Sequence, residues 1–360
     1  MSGDTRGPGV SDCARGAGAS NCAPGAGASD GAQGAGVSDA ALGAGVSDGA
    51  GGARAGDAVE LRAGGRTIVL SHPGKKLFPE AGITKAQLAD YYLAVAVKML
   101  PHLAGRPIAM ERYPEGISGH RIFQKKVPGY FPDWIGRATV EKAGGTLTQV
   151  VCEDAATLAY LAGLACITPH AWLSRVDMPN QPDQLIFDLD PPGENFEAAR
   201  AAAFAVRELL EELALRSFVK TTGKRGLHVT VPLERSGDFD SVRSFARELS
   251  RELIARHPTK LTIEQRKQSR GARLYLDVMR NGYAQTAVPP YAVRARPHAT
   301  VATPLAWEEL DDRSLHPGCF TLRNVPGRIA AVADPWRGML AGGCDLKEAS
   351  ARLQALRSGG

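Results

Sequence analysis

The run Gln184-Leu-Ile-Phe-Asp-Leu-Asp190, closed by Pro191 and Pro192, constrains this chain more than any other stretch. Its composition suits a strand buried on at least one face, and the two prolines end it because they cannot donate to a ladder. Residues two apart on a strand share a face, so Asp188 and Asp190 project together while Phe187 and Leu189 enter the opposite layer. Any fold must therefore bury one face of this strand and hold two carboxylates side by side on the other. Carboxylates that close repel each other and raise one pKa unless a cation lies between them. A divalent metal meets that requirement.

Asp277, flanked by Leu274, Leu276 and Val278 in a second expected strand over 273–278, supplies a third ligand if the two strands are neighbours. Hard oxygen ligands suit Mg2+ or Mn2+, and two such ions roughly 3.5–4 Å apart clamp the attacking and leaving oxygens of an in-line phosphoryl transfer. Two other readings fit the same residues. Asp-x-Asp before Pro-Pro also serves simply to end a strand and begin a turn. It further resembles the nucleophile loop of haloacid-dehalogenase-type phosphatases, where the first Asp attacks phosphate. That loop continues with Gly and then Thr or Val, whereas this one continues Pro191-Pro192-Gly193.

Around this centre, apolar periodicity predicts strands at 67–70, 107–110, 218–221 and 227–232. It predicts helices from Thr84 through Leu88, Tyr91, Tyr92, Val95 and Met99, from Asp154 to Cys166, over 196–215 and over 239–256. Strands alternating with helices argue for an α/β or α+β domain with a largely covered sheet. Residues 1–58 differ sharply. They are dominated by Gly, Ala, Ser and Asp, with Gly16, Gly25, Gly34 and Gly43 nine apart. The period invites comparison with calcium-binding β-helix repeats, but the inner-wall positions are mostly Ala, too small to offset chain entropy. A disordered tether is expected there.

The chain of 360 residues carries 43 Lys and Arg against 38 Asp and Glu, a balance that permits a polyanionic partner. Cysteines at 13, 22, 152, 166, 319 and 344 show no C-x-x-C spacing. A structural zinc site or disulfide framework is not expected, and a reducing compartment fits. With no signal-peptide core and no long apolar segment, a soluble, cytoplasmic protein with no membrane partner is expected.

Between the acidic strands lies Thr221-Thr-Gly-Lys-Arg-Gly-Leu-His228, which sets hydroxyls, two glycines and two cations in a turn. Such turns bind phosphate chains, although the Walker spacing is missing and a plain basic hairpin fits as well. Arg270, Arg294 and His170 read, by themselves, as ordinary surface or structural residues.

Taken together, Phe187-Asp-Leu-Asp-Pro-Pro192, the segment from Thr221 to His228, the Leu276-Asp277 strand with Tyr283 to Arg294 after it, and Lys75-Lys-Leu-Phe-Pro79 with Thr84-Lys85 resemble a known family. It is the polymerase/primase domain of bacterial DNA ligase D, in the archaeo-eukaryotic primase superfamily, which acts in non-homologous end joining. The resemblance covers roughly residues 68–335, in order and with compatible spacings. It implies an α+β primase-like fold with a central, mostly antiparallel sheet flanked by helices. The expected organisation is a linker over 1–58, the polymerase domain over 59–340, and a C-terminal tail over 341–360 holding a short helix.

The resemblance also implies roles. Asp188, Asp190 and Asp277 would bind two Mn2+ or Mg2+ ions, and His170 would contact the incoming nucleotide. Thr222, Lys224 and Arg225 would meet the triphosphate, with Thr replacing the family serine and Arg changing the geometry of one cation. Arg270 and Arg294 match family arginines near the metals and phosphates. Lys75 and Lys85 would hold the 5′-phosphate of a downstream strand. Phe123 would stack on a template base, while Ile122 replaces a second aromatic found in some relatives. The implied reaction is attack of a 3′-OH on the α-phosphate of a nucleoside triphosphate, ribonucleotides being preferred, to fill gaps in double-stranded DNA at 5′-phosphorylated breaks. Ku and a DNA ligase, in cis or in trans, are the implied protein partners, and the bacterial nucleoid is the implied location. A non-catalytic module that bridges ends, the phosphatase and a replicative primase are the competing readings. No Lys-x-Asp-Gly motif of an adenylating ligase is present.

Overall fold

A computed structural model describes residues 58–358. The linker expected over 1–58 lies outside the described residues except for Ala58. The first described elements form the hairpin β1 (Ala58–Ala63) and β2 (Arg66–Ser71), turned by Gly64 and Gly65 at positive φ. Paired left-handed residues match the twist of a two-residue hairpin loop. Strands β3 (Lys76–Phe78) and β4 (Ile83–Thr84) lead into α1 (Lys85–Met99). Thr84 starts α1 with a capping box, its hydroxyl accepting from the Gln87 N–H while the Gln87 side chain accepts from the Thr84 N–H. The predicted apolar face of this helix is buried throughout.

Next come β5 (Pro107–Arg112), β6 (Ile122–Gln124), β7 (Gly136–Lys142), β8 (Gly145–Val151), α2 (Ala155–Gly163) and β9 (Cys166–Trp172). Asp154 caps α2 as expected, but the helix stops at Gly163 and Cys166 opens a strand instead. Ala165, at φ 56°, turns the chain out of the helix so that Cys166 can pair with Arg112.

The second half runs β10 (Gln184–Asp190), α3 (Phe196–Glu212), β11 (Phe218–Thr221), β12 (Leu227–Pro232), α4 (Phe239–Arg256), β13 (Leu261–Thr262), the short α5 (Lys267–Arg270) and β14 (Leu274–Asp277). It ends with β15 (Thr286–Ala287), β16 (Pro304–Leu305), α6 (Val325–Ala331) and α7 (Leu346–Ser358). Helix α3 stops three residues short of the predicted Leu215, where Ala214 takes a positive φ.

The chain is α+β, but where one central sheet was expected there are two of six strands each. The first has the order β13-β14-β10-β12-β11-β16, antiparallel except for β13 with β14. The second has the order β15-β9-β5-β8-β7, with β6 also pairing β5. Leu185, Phe187 and Leu189 of β10 are fully buried in one core with Ala203, Val206 and Leu210 of α3 and Leu249 and Leu253 of α4. Each such side chain contributes roughly 1.5–3 kcal/mol on burial. The opposite face of β10 meets the second sheet, where Ile186 packs with Leu173 and Ala287. Arg106, just before β5, donates to Asp183 at 2.6 Å just before β10, pinning the two sheets together. Ala349 and Leu353 of α7 join the main core.

Candidate active site

Because Asp188 lies on the second face of β10, it points between the sheets where that strand ends. Its antiparallel partners are Asp277 on β14 and His228 on β12, while Asp190 pairs with Tyr275. The sheet therefore brings together the acids that the sequence holds 89 positions apart (277 − 188). Asp188 is 13% exposed, Asp277 20% and Asp190 46%.

Cations answer this charge. Arg280 Nε stands 3.3 Å from Asp188 Oδ2 and 3.9 Å from Asp277 Oδ2, and Arg225 Nη2 stands 3.8 Å from Asp190 Oδ1. His228 Nε2 is 3.5 Å from Asp188 Oδ1. Burial alone would raise the Asp188 carboxyl, but His228, Arg280 and Lys220 hold it well below the usual carboxylate range. Asp190 moves the other way, raised by burial and by the charge of Asp188. Asp277 is raised too, by burial first and then by Asp188, against the 2.8 Å hydrogen bond it accepts from the Met279 N–H.

Two carboxyls raised by burial, and further by a third carboxylate, make an acidic centre that a cation would relieve. The oxygen-only donor set fits a hard divalent metal. Among the described residues, no three His, Cys, Asp or Glu side chains are gathered into a finished cage. Arg280 stands against two of the three acids and serves as their counter-charge.

The turn between β11 and β12 is built around Gly223, at φ 64°. A Cβ there would lie 2.7 Å from Arg294 Cγ and 2.8 Å from the Val301 carbonyl carbon, so only glycine lets the turn lie against Arg294. Gly226 similarly allows the turn to close on the Leu189 carbonyl of β10. The Thr222 hydroxyl donates to the Gly226 carbonyl at 3.1 Å and accepts from the Lys224 and Gly226 N–H groups at 3.3 Å. It organises the turn from within.

Lys224 is lowered to about 8, first by burial and then by Arg294, against the attraction of Glu111. Arg294 is buried, and its Nε has no partner among the described residues. An orphaned guanidinium nitrogen beside a lysine and a glycine turn fits a phosphate chain. Lys220, its Nζ likewise without a partner, is lowered to about 7 by burial and Arg294. Arg270 is engaged differently. It donates to the Glu264 and Gln265 carbonyls, both at 2.8 Å, and its guanidinium stacks 3.7 Å from the Tyr275 ring centroid.

His170 on β9 pairs through Nε2 with Glu111 Oε2 at 2.9 Å and meets the Phe123 ring edge-on at 5.5 Å. Phe123 is 40% exposed on β6. Lys75 and Lys85 come together at the start of α1, where the Lys85 N–H donates to the Lys75 carbonyl at 2.9 Å. Lys85 Nζ donates to the Ser71 carbonyl at 2.8 Å, and Lys75 Nζ pairs with Glu115 at 2.9 Å. Burial lowers Lys85, and the charge of Lys75 lowers it further. Both ammonium groups thus stand near the N-terminus of α1, each already paired with a protein oxygen.

Sequence reasoning did not single out Arg280, Glu111, Lys220 or the pairing of His228 with Asp188. Arg280 follows Asp277 by three residues, a weak signal, while the other three depend on partners distant in the chain.

Cross-strand acids beside a glycine turn with unpartnered cations are the equipment that a phosphoryl-transfer enzyme uses, here on an α+β scaffold. Comparisons with known proteins narrow that class. The family model described as LigD, primase-polymerase domain, matches residues 84–336, and the chain belongs to that family. The multifunctional non-homologous end joining DNA repair protein LigD of Mycobacterium tuberculosis is 35% identical over 282 residues, covering 76% of this chain and 37% of that protein. The bifunctional non-homologous end joining protein LigD of Bacillus subtilis is 30% identical over 264 residues, covering 73% of this chain and 42% of that protein. The chain thus spans well under half of these relatives' length. The solved polymerase domain of Mycobacterium tuberculosis ligase D in complex with DNA superposes with a TM-score of 0.73 at 33% identity, covering 77% of this chain and 99% of that one.

Proposed function

We propose that this protein is a nucleotidyltransferase that extends a 3′-OH with nucleoside triphosphates, preferring ribonucleotides, and fills gaps at 5′-phosphorylated breaks during end joining. The observation that carries the proposal is the cross-strand pairing of Asp188 with Asp277, beside a turn that sets Lys224 near Arg294. Membership of the LigD primase-polymerase family supports it.

In this reading Asp188, Asp190 and Asp277 hold the divalent ions, Mn2+ or Mg2+. Bound there, they would lower the pKa of the 3′-OH and neutralise the leaving pyrophosphate. Lys224 and Arg294 bind the triphosphate, with Arg225 and Arg270 near the acids. Thr222 keeps the turn in shape. His170 meets the nucleotide, Phe123 stacks on a template base, and Lys75 with Lys85 anchors the downstream 5′-phosphate. The DNA-bound relative supports DNA as the substrate, and a duplex with a gap or broken end is the form proposed. Ku and a DNA ligase are the proposed partners, on the bacterial nucleoid.

Primer extension on a gapped duplex tests this, with and without a 5′-phosphate, comparing ATP and dATP in Mn2+ and in Mg2+. Template-directed addition with pyrophosphate release is expected. Release of inorganic phosphate without extension would instead favour the phosphatase.

A further inference from the structure

Glu111, the partner of His170, has no part in the chemistry assigned so far, yet its carboxylate is engaged by three side chains near the site. On β5, Ala109 is the direct cross-strand partner of His170, and Glu111 lies two residues on, diagonally across the same face. Its buried carboxylate takes His170 Nε2 on Oε2 at 2.9 Å, and on Oε1 it takes the Tyr113 hydroxyl at 3.1 Å and Arg121 Nε at 3.2 Å. The Arg121 guanidinium in turn lies 5.4 Å from the centroid of Phe123, whose ring abuts His170. One carboxylate thus holds both the histidine and the cation that flanks the proposed stacking ring.

We propose that Glu111 is a positioning residue: by accepting the Nε2 proton of His170 it makes Nδ1 a hydrogen-bond acceptor for a sugar hydroxyl of the incoming nucleotide. This deepens the nucleotidyltransferase reading and rests on it.

An ionised carboxylate only accepts, so the nitrogen facing it must carry the hydrogen. Burial would raise Glu111, but His170, Arg294 and Lys224 hold it low, at about 2, so it is ionised at neutral pH. Burial pushes His170 down to about 4 against the opposing pull of Glu111, and Arg294 lowers it further, so the ring is neutral with a bare Nδ1. A bare Nδ1 repels phosphate oxygens, which are themselves acceptors. It pairs with an O–H, and the O–H donors shared by every nucleoside triphosphate are its sugar hydroxyls. The phosphates fall to Lys224 and Arg294, and the two recognition tasks separate.

Imidazole nitrogen NMR on the full chain reads the tautomer without reference to catalysis. In the wild type His170 should carry its proton on Nε2. Glu111→Gln should keep that tautomer, because the amide oxygen still accepts, whereas Glu111→Ala should mix or reverse it. Equilibrium binding of ATP, 2′-deoxy-ATP and 3′-deoxy-ATP reads the recognition. The wild type should lose about tenfold or more for one deoxy analogue. That penalty should collapse towards onefold in His170→Ala and Glu111→Ala and persist in Glu111→Gln. A proton on Nδ1 in the wild type, or a penalty that Glu111→Ala leaves intact, overturns the proposal. Failure of the polymerase reading shows separately, as absence of primer extension by a wild type that still discriminates between the sugars.

Discussion

Asp188 and Asp277 are direct partners across the antiparallel pair β10–β14, and His228 is the partner of Asp188 on the other side. Their opposition makes the acidic centre a property of the sheet's register. A one-residue slip of β14 would turn Asp277 to the opposite face.

If the acids hold the metals, Asp188→Ala should lower primer extension by about a thousandfold or more, since metal stabilisation of transition-state charge is worth several kcal/mol. Binding to a gapped, 5′-phosphorylated duplex, followed by fluorescence anisotropy, should change little. Retained polymerisation by the pure variant would remove Asp188 from the metal site.

The paired lysines at the start of α1 predict a different loss. Lys75→Ala combined with Lys85→Ala should abolish the affinity gained from a downstream 5′-phosphate, about tenfold or more for charge-assisted hydrogen bonds. The salt dependence of binding should also become shallower. Equal effects on phosphorylated and unphosphorylated gaps would argue against the anchor.

Nucleotide affinity should depend on pH through Lys224. This group, lowered to about 8, carries its charge below that pH and loses it above. Triphosphate binding should therefore weaken as the pH rises past about 8. Lys224→Arg should remove that inflection, because arginine stays charged. A profile that is the same for the two proteins would exclude Lys224 as its source.

Acid should destabilise the fold through its buried histidines. His102, His170 and His228 are each lowered from 6.5 to about 4, principally by burial, so between those values the unfolded chain binds more protons than the folded one. Stability then falls as pH drops through this window, by up to about 1.4 kcal/mol per pH unit for each imidazole. Thermal melts from pH 7 to pH 4.5 should record a falling Tm, and His102→Gln should make the fall shallower. A flat Tm across the window would show that these rings do not enter the folded state neutral.

Gly223→Ala tests the turn itself. The added Cβ would press on Arg294 and on the Val301 backbone at positive φ, costing about 1–3 kcal/mol and displacing Arg294. A lower Tm together with a raised KM for nucleotide is expected. Unchanged values for both would mean that the turn relaxes without moving Arg294.

Much of this was legible in the chain. The strand Gln184–Asp190, the strands Phe218–Thr221 and Leu227–Pro232, and helix α4 appear where apolar periodicity places them. Local signals also mark the caps at Thr84 and Asp154. The second sheet was harder to see. Strand β9 carries Pro169 in mid-strand, ordinarily a breaker, and it is tolerated because β15 pairs only Ala171 and Trp172 and leaves that edge of Pro169 without a partner strand. Strands β7 and β8 of the same sheet have no buried residue in their first four positions, so burial marks them weakly.

By itself the sequence determined that Asp188 and Asp190 share a face, because the two-residue period of a strand is local geometry. It determined that a glycine turn with cations follows them, and its motifs pointed to the family. Only the tertiary structure decided that Asp277 and His228 flank Asp188, that Arg280 serves as counter-charge, and that Glu111 holds His170. Those contacts join residues up to 92 positions apart (280 − 188), and their register is set by which side chains the core must bury, a condition the whole packed sheet imposes.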